Sequence, residues 1–243
     1  MWFDPLIIFG GALAAAITAG ATGFAFAIIG MAIWLHVMPA TRALPLVVVS
    51  SILLNVAMVW RLRADVDFRR LSPFLLGALA GVPLGVVTVR SLQPEVVRAT
   101  VGALLIGYSV YMISRVSAPT LNLRPVQGSV MDGAVGMLGG FMGGSTSLNG
   151  LFPTIWSGLR GWTKRQQRGV YQPYILLVHL YTLLWLGGTG GIGVQTFWDL
   201  LLCIPALVIG GYLGLAVFHN ASEQSFRRLT LLLFLVSGLV LVA

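Results

Sequence analysis

Charge is scarce in this sequence. Of 243 residues only 9% are Asp, Glu, Lys or Arg, against roughly 25% in an ordinary soluble domain. Mean hydropathy is +0.91, which all but excludes a soluble globular enzyme. There is one cysteine, Cys203, so neither a disulfide framework nor a Cys-based metal site can form. The three histidines, His36, His179 and His219, have no ligand spacing. HExxH, Walker A and GxSxG patterns are missing too. No catalytic residue, metal or cofactor is therefore expected. The N-terminal stretch has Asp4 and no basic residue, unlike the n-region of a signal peptide, so the first segment is expected to be retained.

What the chain does have is apolar length and a basic excess. Hydrophobic residues make up 57%, and the net charge is +8. The basic residues lie in short clusters between apolar runs, the pattern of a membrane protein with basic cytoplasmic loops. Six segments have about the length needed to span a bilayer: Ala43–Trp60, Pro73–Val89, Val96–Ser114, Val170–Gly187, Phe197–Phe218 and Phe226–Ala243.

Two further apolar regions are interrupted. Leu6–Val37 breaks at Gly20-Ala21-Thr22-Gly23, and Val130–Leu159 breaks at Gly143-Gly144-Ser145-Thr146-Ser147. Each arm would be about 12–15 residues, or about 18–22 Å of helix, too short for a core about 30 Å thick. Each region is either one kinked span or a hairpin that returns to its own side. With kinked spans, 6 basic residues face one side and 9 the other. With hairpins, Arg42, Arg90 and Arg98 face one side and the other 12 face the opposite side. The positive-inside rule selects the hairpins.

The expected fold is an all-α polytopic membrane protein of two inverted repeats, residues 1–128 and 129–243. Each repeat is a re-entrant helical hairpin followed by three transmembrane helices, an odd number that inverts the second half. Weak internal symmetry agrees. Gly81 and Gly210, Gly85 and Gly214, and Arg98 and Arg227 are separated by a constant 129 residues, and Arg42 matches Arg168 at 126. Both termini are expected on the non-cytoplasmic side.

Polar residues inside the apolar runs are the candidates for chemistry. A helix break leaves unpaired backbone N–H groups, and together with the helix dipole these attract an anion. Thr22 flanks the first break, with Thr18 one turn before it. Ser50, Ser51 and Asn55 follow on the next helix. Ser145, Thr146, Ser147 and Asn149 flank the second, followed by Tyr171, Gln172 and His179. Arg42 and Arg168 would stand at the two hairpin mouths, where guanidinium groups recruit oxyanions. His179 is the candidate intramembrane proton carrier. Asp132, Asp199 and His36 are read as interfacial. The Gly77, Gly81, Gly85 ridge is read as a close helix contact.

These motifs, in this order, resemble the sulfite exporter TauE/SafE family. The first half carries Gly20-Ala21-Thr22-Gly23-Phe24, Val66-Asp67-Phe68-Arg69-Arg70, the run from Pro73 to Gly85, and Leu92 to Arg98. The second half carries Gly139 to Gly144, Pro153-Thr154-Ile155-Trp156, Gly158 to Arg168 with Gln172-Pro173, and Glu223 to Arg228. Two places depart from the family pattern. Phe24-Ala25-Phe26 stands where another Gly commonly follows Phe, and Ser145-Thr146-Ser147 stands where many members have Gly-Gly-Pro. The resemblance implies secondary transport of a small anion such as sulfite, a sulfonate or another organosulfur anion, across a bacterial-type inner membrane. The expected partners are that anion, a coupling proton or sodium ion, and membrane lipid. A homo-oligomer is compatible with the sequence; nucleic acid is not expected. Two other readings are a channel-like anion conductor and a membrane scaffold, and the polar breaks argue against the scaffold.

Overall fold

The structure is a computed structural model that describes residues 3–34, 37–38, 40–88, 94–114, 120–121, 123–187 and 193–242. His36, Arg90, Arg115 and the Arg98 side chain lie outside the described residues. Within them the chain is helical: α1 (Phe3–Thr22), α2 (Phe26–Trp34), α3 (Ala40–Arg61), α4 (Phe68–Thr88), α5 (Pro94–Ile113), α6 (Pro125–Thr146), α7 (Leu151–Leu159), α8 (Lys164–Gly187), α9 (Val194–Asn220) and α10 (Glu223–Val242). Among the described residues, four stretches, Pro5–Thr22, Arg42–Arg61, Phe68–Thr88 and Val194–Asn220, are long and apolar enough to cross a membrane.

Local sequence explains several helix starts. Asp67 accepts the N–H groups of Arg69 and Arg70 and caps α4. Ser222 caps α10 by accepting the N–H of Ser225. Thr163 and Gln166 form a reciprocal capping box, with Gln166 N–H donating to Thr163 Oγ1 and Thr163 N–H to Gln166 Oε1. This box starts α8 at Lys164, six residues before the apolar run at Val170, and so puts Arg168 on the helix.

Both interrupted regions turn back on themselves. Trp34 Nε1 donates to Ile8 O at 3.2 Å, which brings the end of α2 alongside the start of α1. Trp156 Nε1 donates to Asp132 Oδ1 at 2.6 Å and closes α7 on α6 in the same way. The arms are unequal, contrary to the 12–15 residues expected of each. α1 and α6 have 20 and 22 residues, whereas α2 and α7 have 9 each. The long arms reach further because helix continues through residues flanking the apolar runs, up to a left-handed stop. Gly23 has φ +92 and Ser147 has φ +62. Gly23 N–H bonds Ala19 O and Ser147 N–H bonds Gly143 O. The same stop thus recurs 124 residues later.

The halves are interleaved: α1 packs mainly on α9, α6 on α4, and α5 on α10. Glycine makes the first two contacts possible. A Cβ on Gly81 would lie 2.1 Å from Met137 O, and one on Gly85 would lie 2.1 Å from Phe141 O. Gly214 faces Ile17 O at 2.2 Å in the matching place on α9. Two apolar cores result. One surrounds the first hairpin with Ala12, Ala16, Trp34, Leu46, Leu207 and Phe218. The other surrounds the second hairpin with Phe74, Val82, Met142, Trp156, Tyr174 and Val178. The outer faces of α4 and α9 expose Leu76, Val87, Val208 and Tyr212, as lipid-facing helices do.

The basic loops gather at one end. Arg165 Nη1 pairs with Asp65 Oδ1 at 3.5 Å. Asp67 N–H bonds Gly169 O, and Lys164 Nζ bonds Phe218 O. A kinked-span arrangement would have placed the clusters at 61–70 and 160–168 at opposite ends.

The helix contacts yield a stability test. Gly81→Ala and Gly214→Ala should each cost about 1–3 kcal/mol by forcing the helix backbones apart. Gly107 has open space around it, so Gly107→Ala should be neutral or stabilise by up to about 1 kcal/mol. Thermal melting in detergent reads all three.

Candidate functional site

The two breaks meet along one face of α8. Arg168, Gln172, Ile175 and His179 follow each other at spacings of four, three and four residues, which aligns them in a helical stripe. A Cβ on Gly23, at the first break, would lie 2.5 Å from Tyr171 and 2.8 Å from Gln172 Oε1. Gly150, just past the second break, packs on Ile175 and on Phe24. Phe24 therefore touches both breaks' surroundings, and the two hairpin tips are neighbours within the bundle.

Arg168 organises the first tip. It is 1% exposed, so its guanidinium stands inside the protein rather than at a hairpin mouth. The capping box explains this difference, since it sets Arg168 one turn into α8. A guanidinium only donates, and this fixes every partner in turn. Nε and Nη2 donate to Gln172 Oε1 at 3.1 and 2.9 Å, and Nη1 donates to Gly20 O at 2.8 Å. Gln172 then has its Nε2 left to donate to Asn55 Oδ1 at 2.6 Å. Asn55 Nδ2 in turn donates to Ser51 O at 2.7 Å. The guanidinium lies 4.2 Å from the Phe218 ring centroid. Tyr171 OH donates to Thr22 O beside it.

No carboxylate meets Arg168 among the described residues. The acids that form ion pairs there are Asp199, Asp67, Asp132 and Asp65, with Arg42, Arg70, Arg160 and Arg165 respectively. Arg168 is thus a buried cation with neutral partners. Burying a charge without a counter-charge costs several kcal/mol.

Arg42 has a different surrounding. It grips Asp199 with two hydrogen bonds, Nε–Oδ2 at 2.6 Å and Nη2–Oδ1 at 2.7 Å. Asp199 is 2% exposed and Asp132 5% exposed, so both carboxylates, read from sequence as interfacial, are buried and paired. The charge of Arg42 is already balanced where it stands, and the two arginines matched by sequence offset are not equivalent in charge.

The hydroxyls divide into two groups. Thr22 Oγ1 donates to Thr18 O, Ser145 Oγ to Phe141 O and Thr146 Oγ1 to Met142 O. Each uses its one proton on its own helix. Ser51 and Ser147 are buried with hydroxyls that make no hydrogen bond, and the buried Ser50 hydroxyl has only the Cys203 thiol beside it. His179 is likewise buried, its ring against the backbone of Ser147 and Ile175 with neither nitrogen in a well-formed hydrogen bond. Asn149 Nδ2 donates to Ile175 O and ties the second tip to α8. The structure therefore groups Arg168, Gln172, Asn55, Ser51 and Thr22 at the first tip, and Ser147, Asn149 and His179 at the second. Ser145 and Thr146 end the long arm of the second hairpin, Ser50 lies against Cys203, and Arg42 is elsewhere. Sequence reasoning missed Phe24 and Phe218, whose only signal was aromatic side chains next to a break and a helix end.

A family model, Sulfite exporter TauE/SafE, matches residues 7–241. The chain belongs to this family. Comparison with curated proteins and with solved structures finds no match. Membership together with the apolar helices makes this a multi-pass membrane protein, and the family implies a membrane transporter of sulfur anions rather than an enzyme.

Gly23 combines a left-handed φ with contact on three site residues. Gly23→Ala should cost about 2–4 kcal/mol, from the backbone penalty and overpacking together. The loss of melting temperature in detergent measures it. An unchanged melting temperature would show that the tip can relax away from α8.

Proposed function

We propose that this protein is a secondary permease that carries a small sulfur oxyanion, sulfite or a sulfonate, across a bacterial-type cytoplasmic membrane by alternating access. One observation carries the reading: Arg168 is a buried guanidinium at a hairpin tip, bonded only to neutral acceptors. Such a cation is stabilised by an incoming anion. An oxyanion can take over the Arg168 N–H groups that now reach Gln172 Oε1 and Gly20 O. Ser51 and Asn55 stand behind that exchange, and Thr22 borders it.

The second tip supplies the rest of the site. Ser147 has an unused hydroxyl, Asn149 holds the tip in place, and Ser145 and Thr146 line the approach, while Ser50, against Cys203, borders the site from α3. His179, buried beside Ser147, is the proposed proton carrier. Arg42 serves as the matching mouth only in a state that separates it from Asp199. The two repeats, 1–128 and 129–243, are proposed to be inverted with both termini non-cytoplasmic. The recurring left-handed stops, Trp closures and glycine contacts support that arrangement. The sealed burial of Arg168, Tyr171 and Thr22 favours a carrier over an open pore.

Gln172→Glu tests the site and separates charge from shape. Glutamate keeps an acceptor for Arg168 but neutralises it. Proteoliposome uptake of labelled sulfite or methanesulfonate should fall by at least about tenfold, equivalent to about 1.4 kcal/mol, while the protein still melts cooperatively, the new ion pair offsetting the donor lost to Asn55 Oδ1. Wild-type uptake by a folded Gln172→Glu protein would overturn the assignment of Arg168. A carrier should also show trans-stimulation by unlabelled anion, and a channel should not.

A further inference from the structure

A second space, mostly apolar with a few polar groups, lies at the basic end of the molecule, away from the hairpin tips. A cavity of about 380 Å³ opens between α5, α7 and α10, with Tyr108, Thr154, Gln167, Glu223, Arg227 and Thr230 among its lining residues. Two of these groups are unusual. Arg227 Nε and Thr230 Oγ1 are buried and have no hydrogen-bond partner. They are three residues apart on α10, so they project from the same face about 5–6 Å apart at Cβ. The other end of Arg227 is held, because Nη2 donates to Met112 O at 2.8 Å. A guanidinium held at one end and a hydroxyl, both with an unsatisfied donor, thus sit side by side just beneath the wall of one cavity. The exposed Glu223 is engaged at the rim by the N–H of Lys164.

The cavity also ends in the right place. Phe234 lines it, and its ring lies 4.9 Å from that of Phe24. Phe24 follows the first break and packs on Gly150, just past the second. Thr154, another lining residue, donates to Gly150 O at 2.7 Å. Phe24 and Phe234, in tilted ring contact, therefore lie between the cavity and both hairpin tips.

We propose that this cavity is a second oxyanion site, a vestibule in which Arg227 and Thr230 hold the anion before the Phe24–Phe234 contact opens toward the tips. The proposal rests on the permease reading for the identity of the anion, but its donors are separate from Arg168. Two sources could supply the chemistry, a free sulfur oxyanion or the phosphate of a lipid headgroup, and the vestibule reading commits to the free anion.

Charge-selective thiol labelling tests it. Thr230→Cys in a Cys203→Ala background places a thiol beside Arg227. The anionic reagent 2-sulfonatoethyl methanethiosulfonate should react at least about fivefold faster than its trimethylammonium counterpart, because a local cation concentrates anions. Both rates are taken relative to reaction with a free thiol. Adding Arg227→Gln should abolish the preference, and methanesulfonate should slow the anionic reagent. Met112→Cys is the second probe position if Thr230→Cys does not fold. Equal relative rates, or no modification of the folded protein, would overturn the site. So would protection by short-chain phosphatidylglycerol without protection by methanesulfonate, which would assign it to lipid. A preserved preference in a protein that transports no sulfur anion would strike the permease reading and leave the vestibule standing. Transport without the preference would do the reverse.

Discussion

Backbone-to-backbone contact between helices of opposite halves is the constraint on which the rest of this molecule depends. In lipid there is little hydrophobic gain from pressing one apolar helix on another, so association relies on close packing. Gly77, Gly81 and Gly85 let α4 settle on the backbone of α6, and Gly210 and Gly214 do the same for α9 on α1. Those two pairings hold the long arms of the hairpins. The long arms in turn place Gly23 and Ser147, and these set where the tips fall against α8. A side chain introduced at a glycine contact would therefore be felt at the tips, several turns away.

Charge distribution follows the same economy. Few acids are available, and four of those described are committed to arginines. Three of these pairs brace loops or hairpins at the basic end, and one clasps α3 to α9 at the other. The arrangement leaves Arg168 surrounded by amide oxygens, a backbone carbonyl and an aromatic face. Partial negative charges of that kind hold a guanidinium in place without cancelling its charge. The molecule is stable with a cation inside it and still attractive to an anion, a balance that a carboxylate at position 172 would abolish.

Much of the architecture could be read in the chain itself. Gly-rich polar breaks inside apolar runs marked both hairpins, and the uneven distribution of arginine chose the hairpin over the kinked span. The structure agrees where Arg165 reaches Asp65 and where the Trp indoles close each hairpin. The unequal arms were not legible, because apolarity does not report where a left-handed residue stops a helix. The depth of Arg168 was partly legible. Thr163-Lys164-Arg165-Gln166 is a capping box, and reading it would have moved the helix start forward. The pairing of Arg42 with Asp199, 157 residues away, had no local signal at all. Hydroxyls were the weakest class of inference, since whether a serine bonds its own helix or stands free depends on the rotamer it adopts beside its neighbours.

The interleaving of the halves also sets the order in which the molecule can be built. The first hairpin is made well before α9, the main packing partner of α1, which ends at Asn220. At about 5–20 residues per second, α1 must wait in the membrane for about 10–40 s before the surface that holds it exists. Throughout that time its glycine- and alanine-lined flank faces lipid or the insertion machinery. Assembly of this core then waits on α9, and loss of α9 would leave α1 without its support.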